Sequence, residues 1–216
     1  MLFRSPVVRD RGRYEVSAEY DSKMWKAMTV DAVATRLARA GTGRVWGYRF
    51  DWDEEPTVLG ADLARLVGAA HAFEVPFVFG HFEMGREARG LWTKANEPGR
   101  TALSSAMMSY WAAFAAAGDP ATGRRGELSR WSAWDGAPGQ PTFVVLDTPG
   151  DGGIRMSSEI VTKASVVADI DRDPRLPTAG DKCAELGTIP LRVGAVTADE
   201  YARRCADHPV AEAAAR

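Results

Sequence analysis

Apolar residues recur at three- and four-residue intervals in the first fifth of the chain, which is the spacing of a helix with one buried face. The pattern predicts helix over residues 14–40, as either one long helix or two short ones, and two glycines follow it as helix-ending residues, Gly41 and Gly43. The predicted buried stripe consists of Tyr20, Met24, Ala27, Val30, Ala34 and Leu37.

A second helical pattern covers residues 101–117. Thr101 is its predicted N-cap, and Gly118 followed by Asp119-Pro120 is a strong stop signal. Its predicted apolar face consists of Leu103, Met107, Tyr110, Trp111 and Phe114.

Strand patterns lie between and after these helices. Residues 45–50 are rich in aromatic and β-branched types and are apolar on both alternating faces except at Arg49, which predicts a strand covered on both sides. Residues 142–147 and 153–159 flank the turn-rich TPGDG stretch and predict a β-hairpin. Helix, buried strand, helix and hairpin in this order predict an α/β fold.

Other segments give weaker signals. The acidic run DWDEEP at 51–56 is typical of a solvated loop, and Leu59, Leu63, Leu66 and Val67 after it have helical spacing. Residues 197–208 predict a last helix, with Thr197 and Glu200 as a capping box. No repeat or long linker is visible, so residues 1–216 are predicted to form a single domain.

Composition excludes several classes of function. The 216 residues carry 27 basic and 29 acidic side chains, a net charge of −2, so no basic field attracts nucleic acid. No apolar run is long enough to span a membrane, and the charged first residues lack the apolar core of a signal peptide, so a cytoplasmic protein is expected.

Metal and cofactor chemistry have little support in the sequence. Cys183, Cys205 and His208 lack a fourth ligand and a zinc-type spacing, so no metal site is predicted. The two cysteines remain either reduced thiols or one disulfide. Nothing suggests a cofactor.

His71 is the candidate for proton-transfer chemistry. The chain has three histidines, and this one lies among small and apolar residues in GAAHAFEVPFVFG, residues 68–80. A lone histidine is most often held by backbone hydrogen bonds. Alternatively, an imidazole that titrates near neutrality acts as a general base or acid.

Four ordered segments resemble the type B carboxylesterases, the cholinesterase-like branch of the α/β-hydrolases. GAAHAFEVPFVFG is similar to the histidine segment of that family, and YRFDW at 48–52 to its last central strands. SYWAAFAAAGDP at 109–120 resembles its tryptophan-phenylalanine helix, and WSAWD with TFVVLD its last segments and hairpin. The match is best over 45–158 and looser over 14–44; it does not include the tail, 160–216.

The resemblance implies the C-terminal part of an α/β-hydrolase fold: last central strands, flanking helices and a terminal β-hairpin, incomplete as a free domain. It places His71 on the catalytic histidine of a serine-histidine-acid triad, where it would shuttle a proton during hydrolysis of a small carboxylic ester. Glu74 falls on a family glutamate that would support the histidine loop. No cofactor is implied.

The rest of a serine esterase site is missing from the sequence. No Gly-x-Ser-x-Gly elbow occurs, no glycine-rich oxyanion loop precedes the histidine, and no upstream acid carries the family's pattern. The chain is therefore expected to be inactive alone, as the C-terminal segment of a longer esterase, and to self-associate through exposed apolar surface. The alternatives are a non-catalytic esterase-like binding module and a decayed fragment.

Overall fold

The structure is a computed structural model that describes residues 10–41, 43–83, 85, 88 and 90–208. The described residues form two compact units. The terminal unit combines residues 10–33 with 160–208, and the central unit consists of residues 34–159. None of the described helices is both long and apolar enough to cross a lipid bilayer.

The first predicted helix is present, from residue 11 to residue 40. It consists of α1 (Arg11–Lys26), a π-helical turn (Ala27–Asp31) and α2 (Ala32–Ala40). Asp10 caps α1 by accepting a hydrogen bond from the Arg13 backbone N–H. Within the predicted stripe, Tyr20, Met24, Ala27 and Ala34 are buried. The prediction is wrong at Leu37, which is exposed.

The π-helical turn helps to explain why Leu37 is exposed. A π turn holds one more residue than an α turn, so the residues after it rotate relative to a strict helical period. This rotation accompanies the burial of a charged residue, Asp31. Asp31 Oδ2 accepts hydrogen bonds from Lys26 Nζ at 2.6 Å and from the Val161 backbone N–H at 2.5 Å.

Four helices complete the terminal unit: α6 (Lys163–Arg172), α7 (Ala179–Leu186), α8 (Ile189–Arg192) and α9 (Ala198–Arg204). Cys183 of α7 and Cys205, which follows α9, form a disulfide, so the alternative of two reduced thiols is wrong. Thr197 caps α9 by accepting from the Glu200 N–H, which confirms the predicted start of this helix.

A small mixed sheet organises the central unit. It contains β1 (Gly47–Phe50), β4 (Phe143–Leu146) and β5 (Arg155–Ser157), in the order β1-β4-β5. β1 runs parallel to β4, with Gly47 opposite Phe143, and β5 runs antiparallel to β4. The predicted strand and hairpin are therefore confirmed. The fully buried strand is β4, whereas three of the four residues of β1 are only half-buried.

The long central helix is α5 (Glu97–Ala117), which begins four residues before the predicted cap. Thr101 is thus an internal residue rather than the N-cap. Pro98 lies in the first turn, where a missing N–H costs nothing, and Gly118 ends the helix with a φ of 67°, as predicted. The predicted face is buried at Leu103, Met107 and Tyr110, but not at Trp111 or Phe114.

The helix predicted from Leu59 onward is mostly absent. The chain instead forms a two-residue hairpin, β2 (Thr57–Val58) with β3 (Ala61–Asp62), followed by one short helix, α3 (Leu63–Leu66). Leu59 is 98% exposed at the hairpin turn, where Leu59 and Gly60 both have positive φ values of 49° and 81°. Glycine adopts a positive φ without steric cost, so Gly60 allows the chain to reverse its direction at this turn. The reversal prevents the apolar residues from Leu59 onward from forming one helix.

Candidate functional site

His71 lies in the connection between α3 and α4 (Glu74–Phe79). Its side chain is exposed. The backbone of the loop folds on itself through hydrogen bonds from the Ala70 N–H to the Gly68 carbonyl at 2.7 Å and from the Phe73 N–H to the Ala70 carbonyl at 3.1 Å. The imidazole is therefore presented to solvent by a tight, internally bonded turn.

Two residues of this loop have left-handed backbone conformations. Gly68 is buried with a φ of 50°, and a Cβ there would lie 2.8 Å from the Ala64 carbonyl oxygen. Ala72, directly after the histidine, has a φ of 71°. An alanine in this region stores strain, which is characteristic of loops that orient functional side chains.

An aromatic cluster fixes α4, and with it the exit of the His71 loop. Phe77 of α4 is fully buried, and its ring centroid lies 5.0 Å from Phe50, 5.2 Å from Trp52 and 5.1 Å from Phe82. α4 also packs against α5, where Ser104 Oγ donates a hydrogen bond to the Phe77 carbonyl at 2.8 Å. The contacts with Phe50 and Phe82 are edge-to-face, and such pairs add about 0.5–1.5 kcal/mol each beyond the area they bury, so they stabilise the position of α4.

Glu74 is the first residue of α4, where a negative charge interacts favourably with the helix N-terminus. Its side chain is half-buried and lies near Tyr48 of β1. Burial raises the pKa of Tyr48, and the charge of Glu74 raises it further. The Glu74 charge therefore disfavours an ionised Tyr48 phenol.

Carboxylates gather where β1 and β4 end. Asp51 and Asp53 follow β1, and Asp147 and Asp151 follow β4. Burial raises the pKa of Asp147 to about 6, and the charges of Asp151, Asp51 and Asp53 add to the effect. A Cβ on Gly68 would lie 3.9 Å from Cβ of Asp53, so the start of the His71 loop runs beside this group.

Glu55 belongs to the same end of β1 but is enclosed by protein. It is 6% exposed, and neither carboxylate oxygen has a hydrogen-bond partner. Burial raises its pKa to about 7, against an ordinary value of 4.5. The prediction of a solvated loop for this acidic run is therefore wrong at Glu55, although it holds at the exposed Asp53.

The neighbouring glutamate, Glu54, ties the same segment to the start of α5. Its Oε1 accepts from Thr148 Oγ1 at 2.8 Å, and its carbonyl accepts from Asn96 Nδ2 at 3.0 Å. A Cβ on Gly99 would lie 2.7 Å from Glu54 Oε2, so a side chain at this position would displace the Glu54 carboxylate. The sequence pattern does not predict these contacts, because a run of four acidic residues in six indicates solvent exposure.

Within the described residues, no cluster of three or more histidine, cysteine, aspartate or glutamate side chains has the arrangement of a metal site. The central unit presents an exposed imidazole on a loop whose first residue, Gly68, lies beside Asp53.

The family model of the carboxylesterase family matches residues 11–158, which is more than half of the chain. The chain belongs to the carboxylesterase family. The match to this family includes the whole β1-β4-β5 sheet, the His71 loop, α4 and α5. The resemblance inferred from the sequence motifs is therefore confirmed, and the mixed α/β architecture agrees with part of an α/β-hydrolase fold.

This carboxylesterase-family chain is also similar to the para-nitrobenzyl esterase of Bacillus subtilis (strain 168). The two are 34% identical over 104 residues, which make up 48% of this chain and 18% of that esterase. The chain thus matches less than a fifth of the length of this curated relative.

Proposed function

We propose that this chain carries the proton-transfer part of a serine-type carboxylic ester hydrolase, with His71 as the general base and acid. In the attack step, the imidazole would take the proton of a serine hydroxyl as its oxygen bonds to the ester carbonyl carbon. It would then return that proton to the leaving alcohol, and water would repeat the cycle to release the acid.

The exposed imidazole on a tightly bonded loop after a parallel strand carries this proposal. In open α/β sheets, functional loops lie beyond the carboxyl ends of the strands. His71 follows β1, and the start of its loop lies beside Asp53 at that end of the strand. Membership of the carboxylesterase family makes a small-molecule ester the expected substrate.

The serine nucleophile, the triad acid and the oxyanion hole would come from polypeptide other than these 216 residues, since the sequence contains no Gly-x-Ser-x-Gly motif. Without a nucleophile the covalent route is lost. The purified chain should therefore hydrolyse para-nitrophenyl acetate no faster than its His71→Ala variant, and clear turnover by the parent chain would refute the proposal of inactivity.

A chimera tests the role of His71 directly. Residues 45–158 of this chain would replace the corresponding segment of the Bacillus subtilis esterase, so that the remainder of that esterase would supply the nucleophile, the acid and the oxyanion hole. Hydrolysis of a para-nitrophenyl ester by the chimera should fall by a factor of about 10³ or more with His71→Ala, and the matched His81→Ala variant should retain activity. Equal activity of the two variants would exclude His71 as the proton carrier.

Cellular location and assembly remain predictions. The expected cytoplasmic location has one observation against it, since a disulfide such as Cys183–Cys205 is rare in cytosolic proteins. Self-association is proposed for the edge of β1, whose partner among the described strands is β4 alone.

A further inference from the structure

Arg100, the fourth residue of α5, is a buried cation. The residue is 9% exposed, and its Nε is buried and has no hydrogen-bond partner. Its Nη1 donates to Asn96 Oδ1 at 2.6 Å and to the Thr93 carbonyl at 3.4 Å, and both acceptors are uncharged. Burial lowers the pKa of the guanidinium, and the charge of Glu97 opposes that shift. Because burying a cation beside neutral acceptors is costly, its position calls for a further explanation.

Two aromatic rings lie against the Arg100 guanidinium. Its Cζ is 4.7 Å from the ring centroid of Phe82 and 5.5 Å from that of Trp92. The two rings also contact each other edge-to-face, with their centroids 5.1 Å apart. A guanidinium at this range is attracted by an aromatic ring, and more strongly where water is excluded. Arg100 therefore holds Phe82 and Trp92 in one arrangement.

Asn96 fixes the backbone on both sides of Trp92. Its Nδ2 donates to the Leu91 carbonyl at 2.8 Å, and its Oδ1 accepts from the Thr93 N–H at 3.0 Å. The same Oδ1 accepts the short hydrogen bond from Arg100, which orients the Asn96 amide. The ring of Trp92 and the backbone around it are thus both connected to Arg100.

Trp92 extends this arrangement to the His71 loop. Its ring centroid lies 6.5 Å from that of Phe73, the second residue after the histidine. The Phe73 N–H donates to the Ala70 carbonyl at 3.1 Å, which closes the turn that contains His71. Phe73 is half-buried, whereas His71 and Ala72 are exposed, so the Phe73 ring anchors this turn in the protein.

We propose that Arg100 is a positioning residue for His71, since it holds Trp92 against Phe73 and thereby fixes the turn that presents the imidazole. This inference rests on the proposed role of His71 in proton transfer. A general base must lie within hydrogen-bond reach of the hydroxyl, and a misplacement of about 1 Å costs roughly a factor of 10² in rate. Arg100 itself touches neither the substrate nor the reacting atoms.

Backbone order parameters from nitrogen-15 relaxation of the full chain measure how firmly the turn is held. In the parent chain, the N–H groups of residues 71–73 should be rigid, with values near about 0.85. Arg100→Met keeps a long side chain but removes the charge and the donors, and it should lower these values below about 0.6. Arg100→Lys keeps a cation beside the two rings and a donor for Asn96, so it should restore most of the loss.

Arg125→Met is the matched control, because the Arg125 side chain is 83% exposed and pairs with Glu127. It should leave the order parameters of the turn unchanged. Trp92→Leu is a second test if Arg100→Met folds poorly: it removes the ring that contacts Phe73, and it breaks no side-chain hydrogen bond, since the indole Nε1 has no partner. A flexible turn in the parent chain, or a rigid turn in a folded Arg100→Met or Trp92→Leu variant, overturns the proposal.

Kinetics of the chimera that carries residues 45–158 connect the position of the turn to catalysis. Arg100→Met should lower kcat for a para-nitrophenyl ester by about tenfold or more and leave KM nearly unchanged, because the imidazole is displaced and the substrate is not. Adding Phe73→Leu to Arg100→Met should cost little more than either change alone, since both break the same connection. Two unrelated folding defects would instead multiply.

The chimera also separates this proposal from the proposed function. If His71→Ala inactivates the chimera, then an unchanged kcat in Arg100→Met, or losses that multiply in the double variant, overturn the positioning role alone. If the chimera stays active with His71→Ala, the proposed function is wrong and the positioning role fails with it.

Discussion

Glu55→Gln should make the central unit more stable at alkaline pH. Glu55 is 6% exposed and neither oxygen finds a hydrogen-bond partner, so its ionised form is poorly solvated. Glutamine has the shape and neutral polarity of protonated glutamate. The substitution therefore removes the buried charge while leaving the packing and the unmet hydrogen bonds nearly unchanged.

The magnitude follows from the pKa. Burial raises the pKa of Glu55 from 4.5 to about 7. Each unit corresponds to 1.36 kcal/mol, so ionised Glu55 costs the folded state about 3 kcal/mol at most. Because the folded pKa is the higher one, stability is complete below pH 4.5 and is lost as the pH rises through about 7.

Urea unfolding of the full chain, followed by tryptophan fluorescence, measures this effect. Six of the seven tryptophans belong to residues 34–159, so the signal reports mainly on the central unit. Glu55→Gln should match the parent chain at pH 4.5 and exceed its free energy of unfolding by about 3 kcal/mol at pH 8.5.

Asp147 also titrates in this pH range, with a pKa of about 6. Because Asp147 is present in both proteins, its effect cancels in the difference between their free energies of unfolding, and that difference reports on Glu55. The exposed Glu127→Gln is the control for the loss of a surface charge and should change stability by less than about 0.5 kcal/mol. A Glu55→Gln variant with the same gain at both pH values, or with none at pH 8.5, would show that Glu55 is not a strained buried carboxylate.

Two further substitutions test local features of the two units. Gly68→Ala should destabilise the central unit by about 2 kcal/mol, because residue 68 has a left-handed backbone and its new Cβ would lie 2.8 Å from the Ala64 carbonyl oxygen. Thermal unfolding measures the loss. The control is Gly150→Ala, since a Cβ at Gly150 would meet no atom within 4 Å. Equal melting temperatures of these variants would contradict the strain argument. Replacing Cys183 and Cys205 together by serine should cost the terminal unit about 3 kcal/mol for a loop of this length. Two free thiols per unfolded, unreduced chain in a thiol assay would disprove the disulfide.

The sequence alone determined the elements whose signals are local. Gly118 ends α5 as predicted, Thr197 begins α9, and the turn-rich stretch between β4 and β5 makes the hairpin. These signals depend on the backbone preferences of a few adjacent residues, although such a signal also failed at Thr101, which lies inside α5. The family assignment also came from sequence, because ordered motifs such as the one around His71 are contiguous stretches.

Tertiary structure alone decided which polar residues are buried. Asp53 and Glu55 are two residues apart in one acidic run, yet the first is exposed and the second is enclosed. Ser17 and the fully buried Glu185 are 168 positions apart in the sequence, and the packing of the terminal unit brings the Ser17 hydroxyl within 2.7 Å of the Glu185 carboxylate. Periodicity describes the faces of one element, whereas burial depends on what other elements cover. Charge environment, and therefore proton affinity, follows from burial and from neighbours that are distant in the chain.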